Sequence, residues 1–242
     1  MTGQIYAIGD IHGHLETLLD ALERVETDGG PDAEIVFLGD LVDRGPNSRG
    51  VIEHLLQGQA AGKCWHVLKG NHDRIFEGFL QRGFQFDPRI KSGLGWLNPR
   101  MGGAQTLASY GLEGVGDPAS ETDIAAAVKA VPQAHLDFLS GLPLYHLHQD
   151  LLFVHAGIDP GVALGDQTEE DLVWIREPFL SHADPHPWLV VHGHTALEYP
   201  RHFGNRIDLD GGAGFGRPLY PAVFEGRDCW LLNDHGRVRF LP

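Results

Sequence analysis

Five short apolar runs in this chain end in the same way. Ile5–Ile8 is followed by Gly9-Asp10, Ile35–Leu38 by Gly39-Asp40, and Trp65–Leu68, one residue on, by Gly70-Asn71. Leu151–Val154 runs into His155, and Trp188–Val191 into His192-Gly193-His194. The runs lack polar alternation, which predicts strands buried on both faces, as in a largely parallel sheet. Open α/β sheets form their sites beyond the carboxyl ends of the strands. The pattern therefore predicts a rim of oxygen and nitrogen donors, with glycine letting the backbone turn sharply beside them.

Between the runs the periodicity changes. Leu15, Leu18, Leu19 and Leu22 make one helical stripe, and Val51, Ile52, Leu55 and Leu56 make another. The first three runs begin about 30 residues apart, one strand-helix-strand unit each. Residues 78–140 break this rhythm. Ile124–Ala130 and Pro132–Leu139 read as helices, with Pro132 suited to a first helical turn, so the stretch is expected to be a mostly helical insertion in a single domain spanning 1–242. From 207 onward, Ile207–Asp210, Ala222–Glu225, Cys229–Leu232 and Val238–Leu241 read as short strands of an antiparallel meander.

The donors are two Asp, one Asn and several His, with no thiolate among them. That set suits Mn, Fe or Zn in a catalytic rather than a structural site. Two cations ~3.5–4 Å apart can clamp a phosphoryl group, and a bridging carboxylate is needed to hold them so close. The net charge of −15 argues against nucleic acid as partner, because phosphate backbones need clustered Lys and Arg. No apolar stretch approaches the ~20 residues of a membrane span. The two cysteines, Cys64 and Cys229, form no Cys-x-x-Cys pair. With no basic-then-apolar leader after Met1, a reducing cytoplasm is the expected location.

Gly9-Asp10-Ile11-His12-Gly13, Gly39-Asp40-Leu41-Val42-Asp43-Arg44-Gly45 and Gly70-Asn71-His72-Asp73 resemble the three signature motifs of the phosphoprotein-phosphatase family of calcineurin-like metallophosphoesterases. His155-Ala156-Gly157 and Gly193-His194-Thr195 are similar to its two downstream histidine motifs. The order is kept from residue 9 to 195. The resemblance implies an α/β fold, a four-layer sandwich of two mixed β-sheets flanked by helices. It implies two divalent ions, with Mn expected and Fe or Zn as alternatives. Asp10 and His12 would hold the first, Asp40 would bridge, and Asn71, His155 and His194 would complete the second. His72 would be the general acid, oriented by Asp43. Arg44, Asn71 and Arg176 (in Trp174-Ile175-Arg176-Glu177) would bind the substrate phosphate, and a metal-bridging hydroxide would attack phosphorus in line.

What the resemblance implies about substrate is a phosphate monoester, with phosphoserine or phosphothreonine in a protein or peptide as the expected class, as in compact bacterial and phage members. The alternative is symmetrical hydrolysis of diadenosine tetraphosphate. Relatives with that activity usually carry Ala where this chain has Asp43, and an aromatic where it has Thr195, which favours the phosphatase. Ala196 stands where many wider metallophosphoesterases have a second histidine. His192 reads as a core histidine or a group behind the ligands. His182 and His186 read as solvated loop residues, and His54, His66, His135, His146, His148, His202 and His235 receive no role. The amides of Gly102-Gly103-Ala104 could face a phosphate or serve close packing.

Overall fold

The computed structural model describes residues 3–90 and 92–242. In chain order the elements are β1 (Ile5–Ile8), α1 (Leu15–Gly29), β2 (Ile35–Phe37), α2 (Ser48–Ala60), β3 (Trp65–Val67), α3 (Asn71–Arg82), α4 (Gly103–Ser109), α5 (Glu121–Ala130) and α6 (Gln133–Ser140). They continue with β4 (Tyr145–His148), β5 (Leu151–Val154), α7 (Glu169–Trp174), β6 (Leu189–His192), β7 (Arg201–His202), β8 (Arg206–Asp208), β9 (Ala222–Glu225), β10 (Asp228–Asn233) and β11 (Gly236–Arg239).

The strands form two mixed sheets. One has the order β11-β10-β9-β1-β2-β3 and the other β4-β5-β6-β8-β7. Within them β1-β2-β3 and β5-β6-β8 are parallel, while the remaining neighbours pair antiparallel. Alternate residues of each strand serve different layers. Ile5, Ala7, Val36 and Leu38 meet Phe153, Val191 and Ile207 between the sheets. Tyr6, Ile8, Ile35 and Phe37 face outward into a core shared with α1, α2 and α3. Leu152, Val154 and Val190 pack on the far side against Leu172 and Phe179. The result is an α/β arrangement of two sheets flanked by helices. Across the middle, Phe153 and Phe224 meet edge-on at 5.7 Å, worth about 1 kcal/mol beyond the area they bury.

Four local expectations change. The buried face of α1 is Leu18, Ala21 and Val25, and Leu19 is 40% exposed, because it lies ~100° round the helix from Leu18. The segment after 207 is divided between the sheets: β8 joins β6 in parallel, and only β9–β11 form the meander, beside β1. Regular helix in 78–140 is confined to the end of α3 and to α4, α5 and α6, while residues 83–102 contain neither helix nor strand among those described. Pro132 caps α6 from outside instead of opening its first turn. No helix among the described residues is long and apolar enough to cross a membrane.

Candidate metal centre and active site

The carboxyl ends of the parallel strands of both sheets meet at one rim. Asp10 follows β1, Asp40 follows β2, Asn71 opens α3 just after β3, His155 follows β5 and His194 follows β6. All five are buried, as is His12. Backbone amides link the loops. His194 N–H donates to both Asp10 carboxylate oxygens at 3.1 and 3.2 Å, joining the two sheets. His72 N–H donates to Asp40 Oδ1 at 2.9 Å, and Ile11 and His12 N–H to Asp40 O. The approach is close enough to require glycine. A Cβ on Gly39, whose φ is +95°, would sit 2.5 Å from Gly70 N, and one on Gly193 would fall on Asp10 Oδ1.

The ring tautomers suit ligation. His12 Nδ1 donates to Val42 O at 2.9 Å and His155 Nδ1 to Leu38 O at 2.8 Å, leaving each Nε2 as a lone-pair donor. His12 Nε2 lies 3.6 Å from Asp40 Oδ2 and 4.0 Å from Asp10 Oδ2. His155 Nε2 lies 3.4 Å from Asp40 Oδ1 and 3.0 Å from Asn71 Oδ1, and His194 Nδ1 lies 2.8 Å from the same amide oxygen. Ligands ~2.0–2.2 Å from an ion stand about 3 Å from one another, so these spacings match a coordination shell. Asp40 turns one oxygen to each group. Two ligand groupings, His12-Asp40-His72 and Asp40-His155-His194, share it. His72 falls within the first grouping by distance, and its Nδ1 pairs with the Asp43 carboxylate.

Electrostatics agree with that donor set. Burial pushes His12, His155 and His194 down, which keeps their rings neutral, as ligation requires. Burial, then the Asp210 and Asp40 carboxylates, push Asp10 well up. Several carboxyl groups crowded out of water call for cations to neutralise them.

Next to this cluster His72 Nδ1 and Asp43 Oδ2 are 2.6 Å apart. Asp43 is itself fixed by Trp96 Nε1–H at 2.9 Å and Thr106 Oγ–H at 2.7 Å. The other ring nitrogen, His72 Nε2, faces Arg44 Nη2 at 3.2 Å. Arg44 also contacts His12 Nε2 and lies 5.0 Å over the Phe215 ring. A cavity of about 490 Å³ opens here, lined by Arg44, Arg89, Arg176, His72, Trp174 and Phe215 beside the metal-type donors. The sequence-predicted residues Asp10, His12, Asp40, Asp43, Arg44, Asn71, His72, His155, Arg176 and His194 thus come together around one cavity and the shell behind it.

Some participants were missed. Asp210, two residues past β8, lines the cavity, and burial pushes it up to about 6. Its signal was present, an apolar strand followed by Asp and glycine, but the segment read as meander. Trp96 and Thr106, which hold Asp43, lie in the 78–140 region and carried no local signal. Asp73 accepts from Leu41 N–H and Gly70 N–H, both at 2.9 Å, bracing two motif loops. Gly102 and Gly103 serve close packing: a Cβ on either would strike Arg44 or the Trp96 ring. Arg206 lies 3.1 Å from His192 Nε2. Burial and that guanidinium push His192 down to about 3, making it a neutral core histidine. His186 is buried rather than solvated, stacked on Phe179 and His182.

The family described as calcineurin-like phosphoesterase matches residues 3–212. A bis(5'-nucleosyl)-tetraphosphatase PrpE, designated asymmetrical, from Geobacillus thermodenitrificans is 27% identical over 237 residues, covering 88% of this chain and 86% of its own length. Among solved structures, one described as "a putative diadenosine tetraphosphatase" superposes with a TM-score of 0.66 at 22% identity, covering 100% of this chain and 95% of that one. A cold-active protein-tyrosine phosphatase from a psychrophilic Shewanella superposes with a TM-score of 0.63 at 16% identity, covering 100% and 81%. At these identities the two structures share the fold.

Proposed function

The chain belongs to the calcineurin-like phosphoesterase family, and from that premise we propose that it is a metal-dependent hydrolase of dinucleoside polyphosphates. The observation that carries this reading is the convergence of three guanidiniums, Arg44, Arg89 and Arg176, on one cavity whose edge bears the 62% exposed Phe215 ring. A monoester carries at most two charges, whereas a polyphosphate chain offers successive anionic groups to several forked cations. An exposed aromatic beside them suits a stacked base. The printed name of the Geobacillus relative supports the same substrate class.

Asp10 and His12 would hold one divalent ion and Asn71, His155 and His194 a second, with Asp40 facing both. Bound there, such ions supply Lewis acidity and a water activated at neutral pH. His72 gives its Nε2 proton to the leaving oxygen, with Asp43 fixing the ring. Arg44 and Arg176 orient the phosphate under attack. The phosphoprotein substrate expected from the motifs keeps one observation in its favour: the buried His72-Asp43 pair suits a poor alkoxide leaving group.

The test is a side-by-side assay with added Mn on diadenosine tetraphosphate and on a phosphoserine/phosphothreonine peptide. Faster turnover of the dinucleotide is expected, with AMP and ATP as products in keeping with the relative's asymmetrical designation. ADP alone would return the symmetrical cleavage considered from the sequence. Faster phosphate release from the peptide would overturn the substrate assignment.

A further inference from the structure

Five side chains without a role in the site above gather at the opposite end of the sheets. Glu34 immediately precedes β2, and Cys64 immediately precedes β3, which carries His66. His146 and His148 are two apart on β4, so they share a face. The carboxyl ends of β2 and β3 lead to Asp40 and Asn71, so this group lies at the amino ends, away from the catalytic rim. It also joins two edges, since β3 borders one sheet and β4 the other.

The donor atoms converge on one carboxylate oxygen. Glu34 Oε1 is 3.0 Å from His66 Nε2, 3.7 Å from His148 Nδ1 and 3.9 Å from His146 Nε2. Cys64 Sγ is 3.9 Å from His66 Nε2. Both Glu34-His146-His148 and Glu34-Cys64-His66 have their ligand atoms within 4.8 Å of one another. Zinc bonds of ~2.0–2.3 Å to nitrogen, oxygen and sulfur place tetrahedral ligands ~3.3–3.7 Å apart, and the separations of 3.0–3.9 Å straddle that range. A plain ion pair between Glu34 and His66 leaves the rest unexplained, because His146 Nε2, the nitrogen that faces Glu34, is shielded from water without a hydrogen-bond partner. His66 and His146 also stack at 3.9 Å, a wasteful arrangement for two rings that could each be solvated.

We propose that this cluster is a second metal site, taking one zinc ion on Glu34, Cys64 and His66, with one of the two β4 histidines as the fourth ligand from the other sheet edge. Mixed sulfur, nitrogen and oxygen donors select zinc over the harder ions of carboxylate-rich sites. Burial and the Glu34 charge raise the Cys64 thiol, so binding the ion releases the thiol proton to solvent. The ion fastens the two sheets across these edges.

The difference in sulfur makes the site separately observable. The catalytic rim has no thiolate, and the other cysteine, Cys229, is buried on β10. Cobalt(II) added to the full chain is expected to give a thiolate-to-cobalt charge-transfer band that Cys229→Ser keeps and Cys64→Ser abolishes. The double variant His146→Ala/His148→Ala is expected to bind one zinc equivalent fewer than the wild type by elemental analysis, with dinucleotide or aryl phosphate turnover within about twofold. Absence of the band, its persistence in Cys64→Ser, or equal zinc content in the double variant and the wild type would overturn the site. So would a band that forms only at cobalt concentrations far above the protein's.

Discussion

A proton donor works at one nitrogen only if its other nitrogen is held. His72 meets that requirement through Asp43, and Asp43 through Trp96 and Thr106. His72→Asn is therefore expected to keep its bound metal but lose about 10²–10⁴-fold in turnover when the leaving group is an alkoxide. Loss with an aryl phosphate, whose leaving group needs little protonation, should be much smaller. Equal losses on both substrates, with metal content unchanged, would remove the acid role from His72. The donors at strand ends were legible in the sequence because a local rule places them: an apolar strand, a glycine, then a polar side chain. Trp96 and Thr106 were not, since they reach Asp43 across 53 and 63 residues from a region without periodicity. Asp210 obeyed the local rule but was read in the wrong sheet.

At the scale of elements, the meander is tied to the first helix by a partly buried ion pair. Arg237 on β11 grips Asp28 at the end of α1, through Nε at 2.8 Å and Nη2 at 2.8 Å, while Tyr6 on β1 donates to the same carboxylate at 2.7 Å. Partial burial alone would raise Asp28, but the Arg237 and Tyr6 hydrogen bonds outweigh it and hold the carboxyl below its usual range. A carboxylate depressed in the fold contributes stability above its unfolded pKa of ~3.9 and loses it as pH falls through the folded value. Solvent screening limits the pair to about 1 kcal/mol, so Asp28→Asn should lower Tm by roughly 2–4 °C at pH 7. Thermal melts should show that gap closing as pH drops below ~4; a gap that persists there would point to packing instead. The strands and helices of this half were readable from period alone. Which sheet β8 joins was not, because three apolar-flanked residues fit a parallel and an antiparallel neighbour equally well.

For the whole molecule, metal binding and fold are expected to be coupled, because the proposed ligand set spans both sheets and the chain from Asp10 to His194. An ion present at 100 times its Kd adds about 2.7 kcal/mol per site, or roughly 5–10 °C in Tm for a chain of this size. Stripping divalent ions with a chelator should lower Tm by that order, and added Mn should restore it. Asp40→Asn, lacking the carboxylate that faces both groups, should lose most of the restoration. An unchanged Tm on chelation would mean that the rim carboxylates are neutralised by protons alone.

The rim also bends its backbone against preference. His12, Asp40, Asp43, Arg44 and His194 all have left-handed φ, between +48° and +75°, and Gln149 is the one other such non-glycine position among the described residues. Each costs of order 1–3 kcal/mol, which glycine would relieve. Laboratory evolution of this chain for heat tolerance alone, with no demand for turnover, should then drift toward glycine or asparagine at these places and yield robust but inert descendants. Hardier variants that still hydrolyse must find their gains elsewhere, in the outer helices and the meander.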